Sequence, residues 1–132
     1  MTDRTHQAAP PALHPVAMGA AIFAFVVGAL ILVLWAWLVL TGGVPEYDLH
    51  PLASTLHVIA EVLTGIALIV AGYALVSRKG WAHKAYLVAA GMLIYALVQA
   101  AGYYAENGPG GLVIVFIALM ILAVFFTLRA EQ

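Results

Sequence analysis

Four long apolar runs, separated by short polar segments, dominate the pattern of the sequence. Each run is continuous rather than alternating, which is typical of buried helices, and about 20 apolar residues are enough to cross a bilayer. Because lipid offers no hydrogen bonds, such a segment must satisfy its own backbone, and a helix does so. The pattern therefore predicts four membrane-spanning helices, over residues 16–40, 52–76, 81–104 and 111–128.

The segments between the runs carry the residues of turns and helix ends. Gly42 and Gly43 follow the first run, and Pro51 suits the first turn of the second helix. All three connections are short, so sequential helices are expected to be antiparallel neighbours. We predict an all-α, up-down four-helix bundle that forms a single domain over residues 16–129. The polar, proline-rich residues 1–15 are expected to form a flexible cytoplasmic tail.

The composition supports an integral membrane protein. The 132 residues are 65% hydrophobic and 8% charged, whereas soluble domains are about 45–50% apolar and about 25% charged. The net charge of −1 leaves no basic surface for nucleic acid. The chain has no cysteine, which excludes disulfides, thiolate metal sites and cysteine nucleophiles. The lipid bilayer is thus the first expected partner.

The basic residues are segregated along the chain, and this predicts an orientation. Under a four-span topology all five basic residues fall on one side of the membrane: Arg4, Arg78, Lys79, Lys84 and Arg129. The two connections on the other side contain acidic residues instead: Glu46, Asp48 and Glu106. Basic residues favour the cytoplasmic side. We therefore expect a multi-pass protein of the inner (plasma) membrane with both termini in the cytoplasm.

The three tryptophans lie near the ends of predicted spans. Trp35 and Trp37 are close to the end of the first span, and Trp81 is at the start of the third. Tryptophan is enriched where membrane meets water. All three are therefore interpreted as interfacial anchors.

Polar side chains inside the spans are concentrated on the second and third helices. His57 and Glu61 lie four residues apart, on one helix face, and Tyr95, Gln99 and Tyr103 repeat that spacing on the third span. Ionisable residues at membrane depth indicate functional sites, so these five are the candidate ligand-binding or proton-coupling residues. In an antiparallel bundle the two stripes reach the same depth, and we expect them to face each other in the outer half. The first and fourth spans, almost free of polar residues, are expected to be lipid-facing walls.

Small residues continue the polar stripe of the second span. Gly65 and Gly72 follow Glu61 on nearly the same face, and small residues let a second helix approach closely. Gly19 and Gly28 on the first span, and Gly91 and Gly102 on the third, are further candidates for close contacts.

One hypothesis for the polar residues is a metal site. His50, His57 and Glu61 share one face if the second helix reaches back far enough, and imidazole with carboxylate suits a divalent transition metal. A hydrogen-bonded structural cluster is the alternative. Haem is less favoured, since His57 has no histidine partner at its own depth, and only His14 and His83 could approach each other at the inner surface.

The favoured function is a small membrane binding or accessory protein whose His/Glu/Tyr/Gln cluster holds a metal ion, a proton or a small polar ligand. One alternative is a proton-coupled transporter of small cations that uses Glu61. In size, span number and single intramembrane glutamate the chain resembles the small multidrug exporters, although their carboxylate lies in the first span. Another alternative is a structural subunit, either in a homo-oligomer or in a larger membrane complex. An enzyme is less expected, because the sequence has no nucleophile elbow, no HExxH motif and no phosphate-binding loop.

Two stretches carry a family resemblance. His-Val-Ile-Ala-Glu at 57–61 and Gly-Tyr-Tyr-Ala-Glu-Asn-Gly at 102–108 resemble segments of small uncharacterised four-span membrane proteins of prokaryotes. The resemblance implies the four-helix topology and singles out His57, Glu61 and Tyr103. It implies no activity.

Overall fold

A computed structural model describes residues 13–129, and it contains four α-helices and no strand over that range. The helices are α1 (Pro15–Thr41), α2 (Pro51–Val76), α3 (Ala82–Asn107) and α4 (Gly110–Arg129). The all-α prediction is confirmed, and every helix boundary falls within three residues of the predicted span. Most of the predicted N-terminal tail lies outside the described residues. Each helix is long and apolar enough to cross a membrane, as expected for a multi-pass membrane protein.

The helix ends follow the local chemistry of the sequence. His14 is the N-cap of α1, and its Nδ1 accepts a hydrogen bond from the backbone N–H of Val16 at 3.2 Å. Gly42 ends α1 in the left-handed region at φ 69°, which glycine adopts without a Cβ clash. Pro51 occupies the first turn of α2, where its missing N–H leaves no bond unmade.

The helices pack mainly on their neighbours in the chain. α1 packs most extensively on α2, and α3 contacts both α2 and α4, whereas α1 and α4 meet over a small area. Phe126 of α4 supplies contacts to α1, because its ring lies 5.4 Å from that of Phe23 and covers Gly19. The bundle is therefore closed by a narrow α1–α4 contact.

The hydrophobic core is built largely from alanine. Its largest fully buried side chains are Leu68, Tyr86 and Leu93, and the rest are mainly small residues from all four helices, including Ala20, Ala21, Ala24, Ala71, Ala74, Ala89, Ala90 and Ala123. Small side chains allow helix backbones to approach closely, and van der Waals packing of this kind holds membrane helices together.

The expectation that α1 is a lipid-facing wall is wrong. α1 contributes four residues to the core and buries Trp35 as well. An absence of polar residues cannot distinguish a lipid-facing helix from a packed one, because lipid and protein core are both apolar. In α4, by contrast, Ala123 is the only buried residue among Gly110–Arg129.

α1 and α2 approach each other closely at Gly28 and Gly65. A Cβ added at Gly28 would lie 2.9 Å from the carbonyl oxygen of Gly65, and one at Gly65 would lie 2.9 Å from Leu32. Gly72 similarly packs on Ala21. The predicted close contacts are thus found at these glycines, whereas a Cβ added at Gly91 or Gly102 would meet nothing within 4 Å.

Candidate functional site

Glu61 lies deep in α2 and is largely covered. It is the eleventh residue of the helix, which places it about 15 Å along the axis from Pro51 at 1.5 Å per residue. Its side chain is 13% exposed. The described acidic residues other than Glu61 are Glu46, Asp48 and Glu106, and all of these are exposed in connections or at a helix end. Glu61 is therefore the carboxyl group that a membrane would surround.

Trp35 of α1 is the hydrogen-bond donor to this carboxyl group. Its indole Nε1 lies 3.4 Å from Glu61 Oε2, and the side chain is only 8% exposed. The interpretation of Trp35 as an interfacial anchor is therefore wrong, although Trp37 and Trp81 are exposed as that interpretation requires. A buried indole N–H generally finds an acceptor, and Glu61 supplies it here.

His57 completes the cluster, one turn before Glu61 on α2. Its Nε2 lies 4.0 Å from Glu61 Oε1, and its ring meets the Trp35 ring edge-on at a centroid distance of 5.5 Å. The imidazole is 48% exposed while the carboxyl group is largely covered. The three side chains form what we call the Trp35–His57–Glu61 cluster, and His57 is its exposed member.

The packing of α2 explains why the partner of Glu61 comes from α1. Glu61 lies one turn before Gly65, on the same face of the helix. Since α1 packs closely on Gly65, it also passes over Glu61. In the sequence, Gly65 indicates only that some helix approaches this face, and the structure identifies that helix as α1, which also supplies the neighbour of the carboxyl group.

The polar residues of α3 form a separate group. Gln99 Nε2 donates to the hydroxyl oxygen of Tyr95 at 2.8 Å, and both side chains are exposed. Tyr103 meets Tyr104 edge-on, and Tyr104 stacks on Phe116 of α4. Within residues 13–129 no hydrogen bond or ion pair joins these side chains to His57 or Glu61. The expected contact between the two polar stripes is therefore not seen among these residues.

The three residues predicted as metal ligands are not brought together. His50 is the exposed N-cap of α2, and seven residues of helix place it about 10 Å along the axis from His57. Across the described range, residues 13–129, no group of three or more His, Asp or Glu side chains could hold a metal ion. Of the histidines considered for haem, His14 is used to cap α1.

The cluster has the chemistry of a proton or cation acceptor. It contains one carboxylate, one fixed N–H donor and one imidazole, which can donate or accept. The indole donor stabilises the ionised carboxylate but carries no charge to neutralise it. A proton, a cation or a protonated His57 would have to supply the balancing charge.

Comparisons with known proteins place the chain in a family. Neither the comparison with curated proteins nor the comparison with solved structures found a match. A family model does match residues 16–130, which include all of α2 and α3 and nearly all of α1, and with them the whole Trp35–His57–Glu61 cluster. The chain therefore belongs to the family described as a domain of unknown function, DUF8058.

Proposed function

We propose that this chain is a small integral membrane protein with a binding site at Glu61. Glu61 binds either a proton or a small monovalent cation, and each replaces the other. The observation that carries the proposal is the carboxyl group itself, 13% exposed at mid-helix and hydrogen-bonded to Trp35 from a second helix. An acidic side chain at the centre of a spanning helix costs roughly 2.5–3.5 kcal/mol on insertion scales. Binding a proton or a cation relieves that cost.

His57 gives the carboxyl group a route to water. It lies one turn nearer to the start of α2, is half exposed, and approaches Glu61 to 4.0 Å. An imidazole nitrogen can donate or accept a proton and can therefore pass one in either direction. His57 is thus proposed as the relay between the water layer and Glu61, with Trp35 holding the carboxyl group in place.

The proposed orientation follows from topology and charge. Three contacts support an antiparallel, up-down bundle, because residue numbers fall along α1 as they rise along α2. The pairs are Trp35 with Glu61, Gly28 with Gly65, and Ala21 with Gly72. We call the end that carries Arg78, Lys79, Lys84 and Arg129 the basic end. We propose that it is cytoplasmic, in the plasma membrane, and that the cluster lies in the outer half.

Transport is the second candidate, since a cation transporter coupled to protons would use the same carboxyl group. The hydrophobic core lies between the cluster and the basic end, and it includes Ala24, Val27 and Leu68. Transport would require that core to open so that Glu61 could reach the other side. Binding without transport needs no such change, and we therefore place it first.

An accessory role is favoured by a different observation. α4 buries only Ala123 within Gly110–Arg129, and its exposed apolar side chains, such as Ile114, Ile121 and Leu128, are left for lipid, for a second copy or for a larger complex. A purely structural subunit would retain its assembly and its function after Glu61→Gln. A chain that works through the carboxyl group would lose function and keep its assembly.

Fluorescence of Trp35 tests the proposal. The chain has three tryptophans, so the Trp37→Phe, Trp81→Phe double variant leaves Trp35, hydrogen-bonded to Glu61, as the only one. We expect its emission in detergent to change with pH. We also expect the midpoint of that emission change to lie at lower pH in sodium chloride than in tetramethylammonium chloride at equal ionic strength. The reason is that sodium competes with the proton for the carboxyl group.

Two further variants assign that response. Glu61→Gln in the same background should abolish the sodium effect and remove the part of the pH dependence that comes from the carboxyl group. His57→Gln removes the imidazole and should leave the sodium effect in place. An identical response with and without Glu61 would show that another group titrates and would contradict the proposal.

Single cysteines test the orientation, because the native chain contains none. Asp48→Cys in the α1–α2 connection should react with a membrane-impermeant maleimide in intact cells. Lys79→Cys in the α2–α3 connection should react only after the membrane is permeabilised. The reverse pattern would place the basic end outside.

A further inference from the structure

A groove runs along the side of the bundle between α2 and α3. Near the basic end it holds a cavity of about 390 Å³ lined by Ala67, Val70, Trp81, Lys84, Ala85 and Val88. Further along it holds a second cavity of about 440 Å³ lined by Ala60, Leu63, Thr64, Gly91, Met92 and Tyr95. Both are open depressions on the side of the bundle rather than enclosed cavities.

The two cavities lie on the same faces of α2 and α3. On each helix the lining residues follow spacings of three and four, which keeps them on one face. The face of α2 that contacts α1 is a different one, since Gly65 and Gly72 are packed on α1 and line neither cavity. The groove is therefore a surface separate from the Trp35–His57–Glu61 cluster.

The groove is lined mostly by apolar side chains, and the end of the groove near the basic end of the bundle is positively charged. Lys84 is the one charged residue among the lining side chains, and it lies near the α2–α3 connection that contains Arg78 and Lys79. Within residues 13–129 no carboxylate forms a salt bridge with these three cations. Trp81, 47% exposed, stands beside Lys84, where an indole would lie at the level of the lipid headgroups.

We propose that this groove binds one anionic phospholipid, with an acyl chain along the α2–α3 groove and the phosphate at Lys84. Arg78 and Lys79 would add to the attraction. Basic pockets between membrane helices on the cytoplasmic side suit anionic headgroups. A membrane-spanning helix would also fit an apolar groove, but a second copy in the same orientation would bring its own basic end against this one. The charge therefore favours a lipid.

Native mass spectrometry of the full chain with added phosphatidylglycerol or phosphatidylcholine tests the proposal. We expect one tightly bound phosphatidylglycerol per chain and no retained phosphatidylcholine. Lys84→Gln should weaken phosphatidylglycerol binding about fivefold, since a juxtamembrane lysine contributes about 1 kcal/mol. Replacing Arg78, Lys79 and Lys84 together should weaken it about a hundredfold.

Two control variants separate a groove site from general attraction to the membrane. Arg129→Gln removes one charge at the basic end but lies outside the groove, so it should leave binding unchanged. Gly91→Leu fills the groove at a position where an added Cβ meets nothing within 4 Å, so the chain should fold but lose the lipid. Equal binding of the two lipids, equal effects of Arg129→Gln and Lys84→Gln, or full binding by Gly91→Leu would each overturn the proposal. A dimer that displaces phosphatidylglycerol would assign the groove to a second copy instead.

Discussion

Replacing Trp35 with alanine is expected to lower the free energy of unfolding by about 3–5 kcal/mol, the range for deleting a large buried aromatic side chain. The indole is 8% exposed, lies edge-on to the His57 ring and donates to Glu61. Unfolding can be followed by circular dichroism in a mild detergent. Trp37→Ala is the matched control, because Trp37 is 61% exposed two residues away, and it should change stability by less than about 0.5 kcal/mol.

Trp35→Phe separates the hydrogen bond from the packing. Phenylalanine keeps an aromatic ring but removes the N–H donor, and at a donor–acceptor distance of 3.4 Å we expect a loss of roughly 1–2 kcal/mol. In a Glu61→Met background the same change should have a much smaller effect, because the acceptor is already gone. Strictly additive effects in this double-mutant cycle would show that Trp35 and Glu61 are not coupled.

Gly28→Ala and Gly65→Ala are each expected to destabilise the chain by about 1–3 kcal/mol, the usual effect of overpacking a close contact. The new Cβ at Gly28 would meet the Gly65 carbonyl oxygen and Ile69, both at 2.9 Å. Because one of these atoms belongs to the backbone, α1 and α2 must move apart. Thermal unfolding in detergent measures the effect.

Gly102→Ala is the control for this contact. A Cβ at Gly102 meets nothing within 4 Å, and alanine is the better helix former by about 1 kcal/mol. We therefore expect Gly102→Ala to leave stability unchanged or to raise it. If Gly28→Ala and Gly65→Ala behaved like Gly102→Ala, the α1–α2 approach would be looser than the structure shows.

The helices are predictable from the sequence because their signals are local. Continuous apolar runs and the residues that end them, such as Gly42 and Pro51, give each helix boundary to within three residues. His57 and Glu61 are predicted to share a face, and the structure brings them to 4.0 Å. Both results follow from the periodicity of a single helix.

The partners across helices are not predictable in the same way. Hydrophobicity does not show which face of α1 packs against another helix. The sequence pattern therefore places Trp35 at the membrane interface and does not predict its contact with Glu61. Tyr95 and Gln99 are predicted to match Glu61 in depth, but depth alone does not determine the direction in which a side chain points. The glycines carry part of the missing information: Gly65 predicts that a helix approaches this face closely, and the structure shows that this helix is α1.

The most direct measurement of the central proposal is difference infrared spectroscopy of the carboxyl groups as pH and sodium are varied. Glu61 is covered and held by Trp35, whereas Glu46, Asp48 and Glu106 are exposed, so its band should be distinct. We predict a protonated-carboxyl band that falls as sodium is added, with release of a proton, and that is missing from Glu61→Gln. A band that persists in Glu61→Gln, or one that sodium leaves unchanged at constant pH, would contradict exchange at this site.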